Sequence, residues 1–215
     1  MRKTANIGDR RGRKTLGRPK VRPDEEQMEI IVDKAIELFL DVGFVAMRMN
    51  DVAAACRVSK RTLYRLLPSK LHLFRAMVGV HRQSMLTFPP IDKDQTLEEA
   101  LFQVFRIDIG AEEDRRRMAF IHRTLAERRT APELGDILHQ EGGEKAKALL
   151  GAWLTAWKQH GTASIGDPHT AASILLDMVF GAEALRPSDV SCWPGGSDRQ
   201  AYLRECFRYF IYGAK

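Results

Sequence analysis

The sequence predicts an all-α protein of about nine helices. Apolar residues recur at intervals of three and four along most of the chain, a spacing that keeps them on one face of a helix. Capping residues or prolines precede several of these stretches, and glycines follow some of them. No stretch alternates apolar and polar residues between hairpin turns, so the sequence predicts no β-sheet.

The N-terminal part of the chain contains four predicted helices. The first has an acidic first turn, residues 24–26, which favours the positive end of the helix dipole, and Gly43 ends it. Ser69 is the predicted N-cap of the fourth. The four helices are predicted at residues 24–43, about 49–56, about 60–66, and from Ser69 to the stop at residues 88–90.

Five more helices are predicted in the remainder of the chain. Thr96 caps the first of them, Gly142 and Gly143 break the third, and Ser197 caps the last. They are predicted at about 97–109, 112–129, 132–160, 168 to before Pro187, and 198–212.

The charged residues are unevenly distributed. The net charge of the 215 residues is +6, and residues 1–23 alone contain nine basic residues against one acidic residue. Residues 48–75 contain seven basic residues against one, whereas residues 24–47 contain seven acidic residues against one lysine. Because residues 1–23 also lack an apolar period, we expect them to form a disordered basic arm. The charge favours an anionic partner at the N-terminal end.

Several classes of protein are excluded on the sequence. No apolar run approaches the roughly 18 residues of a membrane-spanning helix and no signal peptide is present, so we expect a cytoplasmic protein that does not enter a membrane. The three cysteines, Cys56, Cys192 and Cys206, are expected to be reduced thiols, and no zinc-ligand spacing predicts a metal site. No nucleophile with its base and no phosphate loop is found, so we expect neither an enzyme nor a cofactor.

Residues 49–66 predict a helix-turn-helix. Its two short helices are joined by a tight turn at residues 56–58, and in such a motif the second helix enters the major groove of DNA. The N-terminal part of that helix offers no apolar side chain to the groove. The side chains that it offers are Ser59, Lys60, Arg61, Thr62 and Arg65.

Residues 28–74 closely resemble the DNA-binding domain of the tetracycline-repressor-like (TetR) family of transcriptional regulators. The motifs that carry this resemblance are A-x-x-L-F at Ala35, G-F at Gly43, D-V-A at Asp51, V-S-K-R-T-L-Y at Val58 and P-S-K at Pro68. A weaker resemblance to the C-terminal domain of the family covers residues 118–186. The resemblance implies a DNA-binding domain at 24–74 and a helical ligand-binding and dimerisation domain at 75–215.

The resemblance also assigns roles to individual residues. It implies that Thr62, Tyr64 and Lys70 contact phosphates, and that Lys60, Arg61 and Arg65 contact bases or backbone. The chain departs from the family pattern at two positions. The family usually has a capping Thr or Ser where this chain has Met47 and Arg48, so Arg48 is expected to contact a phosphate instead. Arg57 replaces a glycine of the turn and must adopt the backbone conformation that glycine permits.

The basic arm contains the sequence Gly17-Arg18-Pro19-Lys20. An arginine such as Arg18 can lie in the narrow minor groove of A·T-rich DNA, and the position of the arm directly before a helix-turn-helix favours this interpretation. The alternative is a solvated tail.

Two further sets of residues are predicted in the C-terminal region, largely on the resemblance. One set is a candidate ligand pocket, although aromatic and Met residues at helical spacing are more often plain core and a satisfied or exposed His is commoner than a ligand. The other set is a homodimer interface on the last two helices, which are apolar over more than one face. The pocket set is Phe102, Phe105, Met118, His122, Trp153, Trp157 and Met178, and the interface set is Ile174, Leu175, Met178, Leu203, Phe207 and Phe210.

The sequence therefore predicts a DNA-binding transcriptional regulator. The leading hypothesis is a homodimeric repressor that binds a palindromic operator in double-stranded DNA and is released by a small-molecule effector. The alternative hypothesis is a non-specific or architectural DNA-binding protein whose C-terminal domain only dimerises.

Overall fold

A computed structural model describes residues 23–92, 94–160, 165–184, 193 and 198–213. Within these ranges all regular structure is helical, which confirms the predicted fold class. In the described ranges, none of the helices combines the length and the hydrophobicity of a membrane span. The helices are α1 (Asp24–Ala46), α2 (Met49–Ala55), α3 (Lys60–Leu66), α4 (Lys70–Met85), α5 (Leu97–Val104), α6 (Ala111–Glu127), α7 (Glu133–Ile137), a π-helix (Leu138–Glu144), α8 (Lys145–Gln159), α9 (Pro168–Ala184) and α10 (Arg199–Tyr212).

Local capping determines where the short helices begin. Ser59 accepts a hydrogen bond from the Thr62 N–H at 3.0 Å and caps α3, and Ser69 caps α4 in the same way. Thr96 and Glu99 form a complete capping box at α5. The structure corrects the cap of α10, which is the Asp198 carboxylate and not Ser197.

Two predicted helices differ from those observed. The helix expected at 97–109 ends at Val104 because Arg106 adopts a left-handed conformation, with φ 48°. The buried Arg199 guanidinium then donates to the carbonyl oxygens of Phe105 and Arg106, each at 2.9 Å. Gly142 and Gly143 are expected from the sequence to interrupt the helix predicted at 132–160. They lie instead in the π-helix, which leads directly into α8.

Two hydrophobic cores organise the molecule. The C-terminal core contains buried side chains of α5, α8, α9 and α10. The N-terminal core contains buried side chains of α1 to α4, and it also takes Phe120 from α6 and Leu134 and Ile137 from α7. The N-terminal core therefore extends beyond the predicted domain boundary at residue 74.

Four phenylalanines connect α1 and α4, the helices on either side of the helix-turn-helix in sequence, to α6. Phe74 lies with its ring centroid 5.6 Å from Phe39, 5.5 Å from Phe44 and 6.1 Å from Phe120. Phe39 and Phe120 are 5.2 Å apart, and both are fully buried. Because aromatic pairs at this spacing add to the free energy of area burial, the cluster holds α1, α4 and α6 together.

A second connection lies where α1 ends. Gly43 has φ 80° and ψ 172°, so the backbone leaves helical geometry there, as the sequence predicts. The Glu127 carboxylate of α6 then accepts hydrogen bonds from the N–H groups of Phe44 at 2.7 Å and Val45 at 3.3 Å. Arg123 donates to the same carboxylate at 2.7 Å. A Cβ atom at position 43 would lie 2.0 Å from the Glu127 Oε1 atom, so this contact requires glycine.

We expect Phe120→Ala to lower the free energy of unfolding by about 3–5 kcal/mol, because it removes a buried ring that completes the N-terminal core. Urea denaturation measures the loss. The control is Leu149→Ala, since Leu149 is 44% exposed on α8 and its replacement should cost under about 1 kcal/mol. Equal losses in the two variants would contradict the role given to Phe120.

We expect Gly43→Ala to lower the free energy of unfolding by about 2 kcal/mol, because alanine strains the backbone and displaces Glu127 from its two N–H donors. Gly79→Ala is the matched control. Gly79 lies inside α4 with open space where a Cβ would stand, so alanine there should stabilise the protein by about 0.5–1 kcal/mol. Thermal unfolding should thus shift in opposite directions, and a shift in the same direction would show that Gly43 is not constrained.

Candidate nucleic-acid interface and neighbouring cavity

Helices α2 and α3 form the predicted helix-turn-helix. Arg57 has φ 54°, so it adopts the left-handed conformation expected where the family pattern has glycine. The Val58 N–H donates to the Ala53 carbonyl at 3.0 Å and closes the turn. Val52 and Leu63 are fully buried, which fixes both helices against α1 and directs the opposite face of α3 to solvent.

That exposed face carries the predicted base-contacting side chains. Lys60 and Arg61 are exposed at the N-terminus of α3, and neither has an ion-pair partner among the described residues. Tyr64 is 46% exposed one turn further on. Two cations and a phenol on the N-terminal part of an exposed helix suit both phosphate and base-edge contact.

Ser59 and Thr62, which are predicted to contact DNA, also stabilise the start of α3. Their hydroxyl oxygens are 2.8 Å apart, and Ser59 also caps α3. The pair therefore fixes the N-terminus of the helix from which Lys60 and Arg61 project. Arg48 occupies the N-cap position of α2 without a side-chain capping bond, as expected, and its side chain is exposed.

Arg65 is held by a partner that the sequence does not reveal. Its guanidinium donates to the two carboxylate oxygens of Asp24 at 2.6 and 2.8 Å. This hydrogen bonding holds the pKa of Asp24 below its usual value. The pair is exposed and joins the end of α3 to the start of α1, so Arg65 positions α3 in this structure.

Lys70 stands at the junction of α1, α4 and α6. Its ammonium donates to the Val45 carbonyl at 3.2 Å and lies 4.3 Å from the centre of the Phe44 ring. Burial lowers the pKa of Lys70, which the nearby Glu127 carboxylate partly offsets. Lys70 and Glu127 thus both hydrogen-bond to the backbone of residues 44–45. No sequence motif predicts this role of Glu127. The predicted minor-groove residue Arg18 lies outside the described residues.

A cavity of about 420 Å³ lies directly behind α4. Helices α4, α6, α7, α8, α9 and the π-helix all contribute to its lining. Its apolar lining residues are Val78, Met85, Leu86, Ile121, Leu125, Leu138, Ala146, Leu176 and Phe180, and its ionisable ones are His81, Arg82, Arg128, His139, Lys147 and Asp177.

His81 is the one buried ionisable side chain of this lining. Its ring stacks on Phe120 with centroids 4.6 Å apart, and its Nε2 atom has no hydrogen-bond partner within the described part of the chain. Burial, with a smaller contribution from Arg117, lowers the pKa of His81 to about 3. The imidazole is therefore neutral at pH 7.

None of the seven predicted pocket residues lines this cavity. Phe105, Trp153 and Trp157 are buried in the C-terminal core, and Phe102 packs against the same core. Met118 is buried, while His122 and Met178 are half-buried elsewhere. The two tryptophans of α8, whose ring centroids are 5.3 Å apart, are buried in the C-terminal core and do not line the cavity.

The predicted interface residues also divide into two groups. Leu175, Leu203 and Phe207 are fully buried within the protomer and cannot contact a partner, which corrects the prediction for these three. Ile174 is 47% exposed, and Met178 and Phe210 are half-buried. Tyr209 and Tyr212 of α10 are also exposed, at 46% and 55%. No group of three or more metal-ligating side chains occurs in the described ranges.

We expect the stability of the protein to fall as the pH decreases from about 6.5, because the unfolded chain then binds a proton at His81 that the folded protein does not bind until about pH 3. The slope from this residue is at most about 1.4 kcal/mol per pH unit, and it approaches zero above about pH 8. Urea unfolding of the wild type and of His81→Phe between pH 5 and 8 tests this. Parallel pH profiles for the two proteins would contradict it.

Two family models match the chain. The model of bacterial regulatory proteins of the tetR family matches residues 31–77, and that of the AefR-like transcriptional repressor C-terminal domain matches residues 99–193. These matches cover the helix-turn-helix and most of the helices that form the cavity.

Individual relatives agree with the family models. The HTH-type transcriptional activator FasR of Mycolicibacterium smegmatis is 32% identical over 87 residues, which are 39% of this chain and 40% of the length of FasR. The flavonoid-responsive regulator FrrA is 25% identical, with a TM-score of 0.55 over 86% of this chain and 95% of FrrA. A TetR-family regulator structure from Rhodococcus sp. has a TM-score of 0.65 at 15% identity over 87% of this chain and 99% of its own. The chain belongs to the TetR family of bacterial transcriptional regulators, and it is not an enzyme.

Proposed function

We propose that this regulator binds a palindromic operator as a homodimer and that a small, largely apolar effector in the cavity behind α4 lowers its affinity for the operator. One observation carries the proposal: α4 and α6, which line the cavity together with other helices, also pack in the core that holds the helix-turn-helix. Helix α4 begins at Lys70 beside the motif and lines the cavity from Val78 onward. Helix α6 lines it with Ile121 and Leu125, and contacts the N-terminal helices through Phe120 and Glu127.

An effector can shift a conformational equilibrium only if it binds one state better than the other. A molecule that fills the cavity presses on both α4 and α6, so a change in their spacing moves α3 relative to the rest of the protomer. In a twofold dimer, such a movement alters the separation of the two recognition helices. Operator affinity then falls because the two recognition helices of the dimer can no longer enter successive major grooves at the same time.

The exposed cations of α3 are the proposed centre of the DNA contact. Lys60 and Arg61 would contact bases and phosphates, with Tyr64 and Thr62 on the flanking phosphates. Lys70 and Arg48 would add phosphate contacts. Arg65 would reach DNA only by leaving Asp24, and Arg18 would enter the minor groove.

The proposed dimer is formed by α9 and α10. Ile174, Met178 and Phe210 would lie in the interface, joined by the exposed Tyr209 and Tyr212. A twofold axis there leaves the two helix-turn-helix motifs free to contact one duplex.

The sign of regulation is proposed as repression. The C-terminal model that matches is that of a repressor, whereas the relative FasR is an activator. FrrA is described as flavonoid-responsive, which supports an effector for this chain as well.

We expect the full-length protein to bind DNA from upstream of its own gene at least tenfold more tightly than random DNA of equal length, as measured by fluorescence anisotropy at fixed salt. Lys60→Ala and Arg61→Ala should each weaken this binding by about 10- to 100-fold. Arg129→Ala is the matched control, because Arg129 is exposed on the loop after α6 and is not part of the helix-turn-helix.

Equal affinity for random and upstream DNA would instead support an architectural DNA-binding protein. Repression should appear as increased expression of a reporter after deletion of the regulator, and reduced expression would reverse the sign.

A further inference from the structure

The interior of the cavity is apolar, and its rim is charged. Val78, Met85 and Leu176 are buried in its walls, whereas Arg128, His139 and Asp177 are exposed and Arg82 and Lys147 are half-buried. The buried His81 is neutral at pH 7, so the interior offers no charge to a ligand. A ligand that carries a charge must therefore place it at the rim.

The cations of the rim differ in what they already bind. Lys147 is paired with Glu144 at 3.0 Å, and His139 lies 3.8 Å from the same carboxylate. Arg82 donates one bond to the backbone oxygen of Glu141, and it has no carboxylate partner among the described residues. Arg128 has no ion pair within the described ranges either. The opposing charge in the lining is Asp177, which belongs to α9.

Arg82 and Arg128 thus keep guanidinium donors for an anion, and the side of the rim formed by α4 and the end of α6 is cationic. A half-buried guanidinium with a single carbonyl partner is a favourable site for a carboxylate, because a charged hydrogen bond is stronger than a neutral one and is screened less at a partly buried position.

We infer that the effector is an apolar molecule with one acidic group, and that Arg82 and Arg128 bind this group while the apolar part fills the cavity beside His81. This inference rests on the proposed function. The acid group also supplies the signal: Arg82 belongs to α4 and Arg128 follows α6, so an anion between them acts on both helices that hold the helix-turn-helix. A neutral analogue of the same shape fills the apolar part without that link.

Three matched probes test the inference: 2-naphthoate, 2-naphthamide and 2-(aminomethyl)naphthalene. They share one apolar body and differ in charge. Isothermal titration with the full-length protein should show that the acid binds at least tenfold more tightly than the amide, and that the amine binds most weakly. Anisotropy experiments with the upstream DNA compare the acid and the amide at concentrations that give equal occupancy of the protein. At that occupancy the acid should release the protein from DNA and the amide should not.

The variants separate a specific site from general attraction of anions. Arg82→Gln and Arg128→Gln should each reduce the preference for acid over amide by about tenfold, with little change in affinity for the amide. Arg129→Gln removes a neighbouring exposed cation that does not line the cavity and should leave the preference unchanged.

Equal binding of acid and amide overturns the inference, and so does a preference that persists in both variants or a failure of all three probes to bind. Release of DNA by the amide would also overturn it while supporting the proposed function. If the unliganded wild-type protein did not bind the upstream DNA at all, this result would instead contradict the proposed function itself.

Discussion

The packing of Phe74 against Phe39 and Phe120 is the interaction on which the rest of the structure depends. These three buried rings come from α4, α1 and α6, so one cluster joins helices that are distant in sequence. Helix α6 is therefore a structural part of the N-terminal core. Because packed aromatic cores deform in discrete rearrangements and not continuously, a displacement of α6 is passed to α1 and α4 instead of being absorbed between them.

The polar contacts around residues 43–45 fix how the packed helices are aligned with one another. Glu127 accepts two N–H bonds from this segment, and Lys70 donates to its Val45 carbonyl. A carboxylate and an ammonium that are partly removed from water interact more strongly than exposed ions, so this arrangement resists sliding as well as separation. The apolar cluster thus fixes the distance between the two regions, and the polar contacts fix their register.

Local chemistry explains which features could be predicted from the sequence. The bounds of α3 follow from its Ser59 cap, and the position of α2 and the turn at Arg57 follow from residue spacing within a few positions; these features agree with the structure. The Arg65–Asp24 pair joins residues 41 positions apart, and no periodicity encodes it. The cavity is a space between several helices, so its lining depends on their packing. An apolar helix face likewise does not reveal whether it packs within a protomer, as Leu203 does, or against a partner.

The position of Phe120 has a consequence for how proteins of this architecture can be recombined. If the N-terminal segment were cut from the chain after α4, Phe39 and Phe74 would become exposed, because the Phe120 ring that packs on them would be lost. A graft of that segment onto another sensor region would succeed only if the recipient helix supplied a matching aromatic side chain and a carboxylate for the residue 44–45 amides. The helix-turn-helix segment and the C-terminal helices of this chain are therefore coupled through a few side chains, and a change in one of them requires matching changes in the others.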